Sequence, residues 1–221
     1  MELVTTTDIK KEIKVNFEYP ESRGNDSFIG VYDIGDPKIC NNIIDKFDEL
    51  MQLDDKDLES KELVRDKKIL KDGSKRPINQ RSDSALFFLD NFWNDDISEL
   101  NGWLQTCLNL YMEKFAINSK ILSTCVKVHS VEPGGGYHVF HYEQSHGLEN
   151  AIRFLTWMIY LNDLDEEDGG NTEFLYQGVK VQPKAGRCLI WPSGMTHQHR
   201  GNVAWKRKIY ATGWFDCDQV E

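Results

Sequence analysis

The chain has 221 residues, 40% of them hydrophobic and 28% charged, which fits one soluble globular domain with a substantial core and fits two poorly. Lys and Arg number 26 against 36 Asp and Glu, a formal charge of −10; this argues against general binding to nucleic acid or anionic membranes, though a local basic groove stays open. Cys40, Cys107, Cys125, Cys188 and Cys217 are scattered, odd in number and without Cys-x-x-Cys spacing, which points to reduced thiols in a cytosol-like compartment and away from a disulfide frame or a zinc cluster.

Residues 1–5 carry no basic-then-apolar signal pattern, and no apolar run is long enough to span a bilayer. Short apolar-polar alternations at 11–19 and 27–34 predict strands leading into the fold. Asp36-Pro37 predicts a helix start, Asp as N-cap and Pro at the first position. Ile39, Ile43, Ile44, Phe47, Leu50 and Met51 then recur at helical spacing. Residues 54–76 are dense in Asp, Glu and Lys and predict a solvated loop with a short helical piece, the place for a mobile lid. Residues 81–88 predict a strand or turn entering the core. A second helix is expected over 94–116, with Ile97, Leu100, Leu104, Leu108 and Met112 on one stripe and Asn94-Asp95-Asp96 at its acidic start. From 121 the chain turns to short β-rich runs: 121–131, 137–143, 152–162, 172–176, 179–183, 187–191, 197–203 and 206–216. Helices first and many short strands after predict an α+β fold, a sandwich or jelly roll with the helices bracing one sheet. The expected organisation is a single domain over 1–221, with 1–120 as helical support and early strands and 121–216 as the jelly-roll core.

Three stretches carry residues suited to chemistry. His141-Tyr142-Glu143 follows a glycine-rich approach, and residues two apart on a strand share a face. One more histidine would give two imidazoles and a carboxylate on one side of a metal, the set that suits non-haem Fe(II) and oxygen chemistry. His197 and His199, also two apart, both qualify. His138 falls on the opposite face, and His129 and His146 lack a partner pattern, so a structural role is preferred for those three. On the 206–216 run Lys206, Lys208, Tyr210, Thr212 and Trp214 share a parity. An inward lysine among aromatics needs a counter-charge, and spacing alone leaves Lys206 and Lys208 equivalent as an anion receptor, with Thr212 adding a hydroxyl. The 152–163 run is apolar on both faces and predicts a central strand with Thr156, Met158 and Tyr160 on one face, where Tyr160 offers a phenolic donor to a carboxylate.

Taken in order, these phrases resemble the Fe(II)- and 2-oxoglutarate-dependent dioxygenases, in particular their prolyl 4-hydroxylase-like branch. Tyr160-Leu161-Asn162 with Gly169-Gly170-Asn171-Thr172-Glu173-Phe174, the Pro183–Trp191 segment, His199-Arg200-Gly201 and Lys208 look like that family's motifs over about residues 122–215. The resemblance implies a double-stranded β-helix with bracing N-terminal helices, and His141, Glu143 and His199 as iron ligands. It favours His199 over His197 and Lys208 over Lys206, because Gly201 and Lys208 are in step with His199. It further implies 2-oxoglutarate held by Lys208 with help from Thr212 and Tyr160, Tyr137 at the cavity rim, and Fe(II), 2-oxoglutarate and O2 as cofactors, with ascorbate an optional addition. The family usually has Asp where this chain has Glu143; the added methylene requires the carboxylate to fold back or the strand to shift.

The activity so implied is hydroxylation of an unactivated C–H bond, first of all in a prolyl residue of a peptide or protein. A free amino acid or other small molecule is the alternative substrate, and a non-catalytic metal-binding scaffold the alternative of another class; a retained Lys208 argues against the scaffold. No nucleic-acid or membrane partner is expected. Compact relatives in bacteria and their viruses place the expected setting in a bacterial or virus-infected host cytosol.

Overall fold

The computed structural model describes residues 15–22, 25–59, 61, 63–66, 81–88, 95–123, 126–145 and 147–217. Of the loop and lid expected over 54–76, residues 60, 62 and 67–76 lie outside them, as do Asn94, Cys125 and His146; within that stretch Asp55–Glu59 is a short helix and Leu63–Arg65 a strand. Cys40, Cys107, Cys188 and Cys217 carry free thiols, and no helix among the described residues is long and apolar enough to cross a membrane.

The first helix is Pro37–Met51, and the Asp36 carboxylate accepts from the Lys38 N–H at 2.8 Å, so the cap acts as its residue type predicts. It buries Cys40, Ile43, Phe47 and Leu50. The long helix Asp95–Lys114 buries a wider stripe that includes Trp103 and Tyr111. Asp96 accepts from Asn42 at 3.0 Å and ties the two helices together.

The strands form a double-stranded β-helix, or jelly roll, of two antiparallel sheets. The major sheet runs in the order Asn16–Glu18, Gly30–Asp33, Arg187–Pro192, Arg153–Tyr160, Lys208–Cys217, Val126–Val131, Asp83–Phe88, Leu63–Arg65, with Ile121–Ser123 also paired to Lys208–Cys217. Strands from before residue 90 therefore complete both edges of a sheet whose centre comes from the second half of the chain. The minor sheet is Val179–Val181, Thr172–Phe174, His199–Ala204, Gly135–His141.

Alternation along the central strands separates two cores. Leu155, Trp157, Ile159, Cys188, Ile190, Ile209, Ala211 and Phe215 meet the helices, whereas Met158, Tyr160, Leu189, Trp191 and Tyr210 meet Phe174, Val181 and Ala204 of the minor sheet. A strand with both faces buried is apolar on both, as the 152–162 run is. The face toward the minor sheet also carries Thr156, Thr212, Trp214 and Lys208, and these polar groups mark where the inter-sheet space opens into a cavity.

Candidate active site

His141 and His199 lie directly opposite one another on adjacent strands of the minor sheet, with ring centroids 4.5 Å apart. The Gly135–His141 strand ends at His141, and Glu143 stands in a bend beyond it rather than on the strand. Its N–H and that of Gln144 both donate to the Ser193 carbonyl, at 3.1 and 3.0 Å. The bend, and not a strand position, sets where the Glu143 carboxylate points. It brings Glu143 Oε1 to 3.3 Å from His141 Nε2 and 3.7 Å from His199 Nε2, and one ligand atom from each of the three residues lies within 4.8 Å of the others.

Tautomers follow from the backbone. His141 Nδ1 lies 2.9 Å from the Val139 carbonyl and His199 Nδ1 lies 3.0 Å from the His197 carbonyl. A carbonyl only accepts, so each Nδ1 carries the proton and each Nε2 presents a lone pair. Burial keeps His199 neutral down to about pH 4, helped by the neighbouring His141. Burial would raise the Glu143 carboxyl, but the neighbouring His141 and His199 side chains and the Arg153 guanidinium outweigh that and hold it well below its ordinary value. Two neutral imidazoles and an ionised carboxylate that all border a cavity form a donor set that fits Fe(II), with its open side toward the cavity.

His197 takes no part in this set. It ends a short 3₁₀ turn, Met195–His197, so the parity expected of an extended 197–203 run fails. Its Nε2 donates to the Ser27 carbonyl at 2.9 Å and its Nδ1 accepts from Thr196 at 3.0 Å. Both nitrogens are occupied and neither lone pair is free. His197→Ala is therefore expected to leave metal affinity unchanged and to cost about 1–3 kcal/mol of stability, because it strands the buried Ser27 carbonyl. Metal titration beside thermal melts checks both halves.

Lys208 is buried at 3% exposure, and its Nζ donates to the Gly170 carbonyl at 2.6 Å. Among the described residues no carboxylate lies within ion-pair distance of it. Desolvation pushes its pKa down to about 7, with only Asp83 pulling the other way. Gly169 and Gly170, both at positive φ, shape the receiving carbonyl; a Cβ on Gly169 would stand 2.4 Å from the Val203 oxygen. Lys206, by contrast, lies outside the strand on the surface and pairs with Asp168 at 2.8 Å. Trp191 also lines the cavity, and its buried Nε1–H has no hydrogen-bond partner among the described residues. A buried ammonium without a counter-ion at a cavity wall is a cradle for an anion such as a carboxylate.

The remaining expected groups are placed less uniformly. Tyr137 lines the cavity with its ring stacked on His141 at 3.9 Å, and the Arg81 guanidinium lies 5.3 Å from the Tyr137 centroid. Thr212 lines it too, but its hydroxyl donates to the Trp157 carbonyl at 2.6 Å, so that proton is not aimed at a ligand. The Tyr160 hydroxyl donates instead to Thr172 at 2.6 Å, and among the described residues that line the cavity Tyr160 is missing; its ring lies 5.2 Å from Lys208 Nζ.

Sequence reasoning missed a charged wall on the far side of the cavity. Asp83 bonds both Arg81 and His129, while Asp66 accepts from Arg81 and Lys127, each at 2.8 Å. His129, for which the sequence favours a structural role, is buried, bonds Asp83, stacks on Tyr210 at 4.7 Å and also borders the cavity. Arg153 and Trp214 were also missed as site residues, and both contact Glu143.

Residues 126–216 match the family model described as the 2OG-Fe(II) oxygenase superfamily. Comparison with curated protein sequences gives no match. Among solved structures, the chain is similar to the viral collagen prolyl hydroxylase of Paramecium bursaria chlorella virus-1 in its 2OG complex, with 18% identity over 86% of this chain and 97% of that one and a TM-score of 0.63. It is similar to a Trichoplax adhaerens prolyl hydroxylase in complex with a hypoxia inducible factor oxygen degradation domain peptide fragment, at 16% identity, 87% and 84% coverage and TM-score 0.65. A Pseudomonas putida prolyl-4-hydroxylase aligns at 16% identity, 93% and 94% coverage and TM-score 0.59. At these identities the likeness establishes a shared fold.

Proposed function

We propose, from the match of residues 126–216 to the 2OG-Fe(II) oxygenase superfamily model, that this protein is such an oxygenase and hydroxylates a prolyl residue in a peptide or protein. The observation that carries the reading is a single cavity of about 530 Å³ bordered both by the His141, Glu143 and His199 donor set and by the buried Lys208. The prolyl substrate is supported by the three prolyl hydroxylases that share the fold, one of them holding a peptide.

His141 Nε2, His199 Nε2 and Glu143 Oε1 would hold the iron. When bound, Fe(II) with 2-oxoglutarate and O2 supplies an oxidative decarboxylation to succinate and CO2 that delivers one oxygen atom into a C–H bond. Lys208 binds the distal carboxylate of 2-oxoglutarate as a point charge, where an arginine would offer a two-pronged fork. Thr212 adds a hydrogen bond to that carboxylate once its hydroxyl turns from the Trp157 carbonyl. Tyr160 supports Lys208 from behind and keeps its own hydroxyl on Thr172. Met158 and Trp191 make that end of the cavity apolar, which strengthens the lysine–carboxylate attraction. Ascorbate belongs to the same proposal, as the reductant that keeps the iron ferrous.

The test is incubation with Fe(II), 2-oxoglutarate, ascorbate and a panel of proline-containing peptides, with free proline alongside. The expected result is succinate formed in step with one oxygen atom added to a peptidyl proline. Tight metal and 2-oxoglutarate binding without peptide-stimulated succinate would overturn the prolyl reading, and oxygen added to free proline alone would replace it with a metabolite hydroxylase.

A pH dependence follows from Lys208. The ligand needs the protonated amine, so binding is strongest below about pH 7 and weakens by up to about tenfold per unit above it. Ligand-free stability runs the other way. The unfolded lysine titrates near 10.4, so between about 7 and 10 the unfolded chain holds more protons and stability gains from rising pH. Calorimetric titration of 2-oxoglutarate across pH 6–9 checks the first sign, and the difference in pH slope between wild type and Lys208→Met in thermal melts checks the second.

A further inference from the structure

The two oxygens of Glu143 have different surroundings. Oε1 faces the two histidine Nε2 atoms. Oε2 accepts from the Trp214 indole at 3.0 Å and from Arg153 Nη1 at 3.4 Å. The same Arg153 nitrogen donates to the Glu143 carbonyl at 3.3 Å, and its guanidinium stacks on the Trp214 ring at 3.6 Å. Arg153 arrives there through a break in strand period. Leu155, Trp157 and Ile159 point to the helices, and Arg153 would follow them in a regular strand. The pairing with Lys208–Cys217 shifts register between Arg153 and Leu155, and this bulge lets Arg153 join Thr156 and Trp214 at the cavity.

We infer that Arg153 and Trp214 are positioning residues that clamp Glu143 Oε2, leaving Oε1 as the single oxygen presented to the metal. Glutamate has one more rotor than the aspartate usual at this position in the family this chain resembles. The clamp removes that freedom and turns one oxygen away from the two histidines, so the carboxylate takes one position around a metal rather than two. Neither residue touches the reacting atoms in this role. An aspartate at 143, one methylene shorter, is expected to lose the indole when it faces the two histidines, which makes the clamp a property of the glutamate. The inference rests on the metal-site reading of the cavity.

The experiment is Co(II) titration of metal-free protein, followed by calorimetry and by the visible absorption of the bound ion, for wild type, Trp214→Phe, Arg153→Met, Glu143→Asp and the Glu143→Asp/Trp214→Phe pair. Phenylalanine keeps a ring beneath Arg153 and removes only the N–H. Trp214→Phe and Arg153→Met are each expected to weaken Co(II) about 10- to 100-fold and to alter the absorption bands, the range found when partners of metal ligands are removed. In the Glu143→Asp background Trp214→Phe is expected to change the affinity less than about twofold, because the bond it deletes is already gone. Melting of the metal-free variants is the control for folding. Equal losses in both backgrounds, or tight wild-type binding that neither variant disturbs, overturns the clamp alone. Wild-type protein that takes up no Co(II) overturns the metal reading and the clamp together.

Discussion

His199→Ala is expected to lower Co(II) or Fe(II) affinity by more than about 100-fold and to bring turnover to background. The floor comes from what partners of ligands alone contribute, and in the proposed site His199 would supply a ligand atom itself. Its Nδ1 is fixed on the His197 carbonyl, its ring meets Trp191 edge-on at 4.9 Å, and its Nε2 is held toward Glu143 Oε1. His197, two residues away, cannot replace that nitrogen, because both its ring nitrogens are bonded elsewhere. The substitution also opens a buried space, at a cost of about 1–3 kcal/mol, so binding is to be measured well below the melting midpoint. Added imidazole, small enough for that space, is expected to restore part of the metal signal. Wild-type affinity in His199→Ala together with lost affinity in His197→Ala would reverse the assignment.

What was legible in the chain was whatever period and caps encode. Asp36-Pro37 starts its helix as expected, and Thr156, Met158 and Tyr160 take one face of a central strand while Leu155, Trp157 and Ile159 take the other. What was illegible depends on departures from period or on distant pairing. Glu143 leaves the strand before a strand rule can apply to it, His197 sits on a turn, and a bulge carries Arg153 to the cavity. A one-residue irregularity reverses every side chain before it, and local sequence does not announce it. The Asp83–His129 and Asp66–Lys127 contacts join residues 46 and 61 positions apart. The first needs Asp83–Phe88 paired with Val126–Val131, and the second also needs Leu63–Arg65 paired with Asp83–Phe88, pairings no single run reveals. Tyr160 faces the side that was expected, yet its hydroxyl finds Thr172 first.

Lys208→Met is expected to act in opposite directions on ligand binding and on stability. In the ligand-free protein the ammonium is 3% exposed with a carbonyl as partner and no carboxylate beside it. Its pKa near 7 instead of about 10.4 is the measure of that cost, about 4 kcal/mol at neutral pH as an order of magnitude. Methionine matches the length, fills the same slot beside Tyr160 and Tyr210, and brings no charge. Methionine also strands the buried Gly170 carbonyl, at a cost of about 1–3 kcal/mol, so of the roughly 4 kcal/mol released by removing the buried charge the ligand-free variant is expected to keep a net gain of about 1–3 kcal/mol. Binding moves the other way, because the carboxylate that would neutralise Lys208 then enters an apolar end of the cavity with no cation. A truncated buried charge pair costs about 2–5 kcal/mol, which raises the 2-oxoglutarate concentration required by roughly 30-fold or more. Thermal melts with and without 2-oxoglutarate, in the presence of Mn(II) to occupy the metal position, read both signs at once. The wild type should melt lower without ligand and rise with it, whereas Lys208→Met should start higher and barely respond. Lys206→Met, at the surface pair with Asp168, should do neither. A variant at 208 that loses stability and still responds fully to 2-oxoglutarate would show that this lysine is a structural cation and that the anion site lies elsewhere in the cavity.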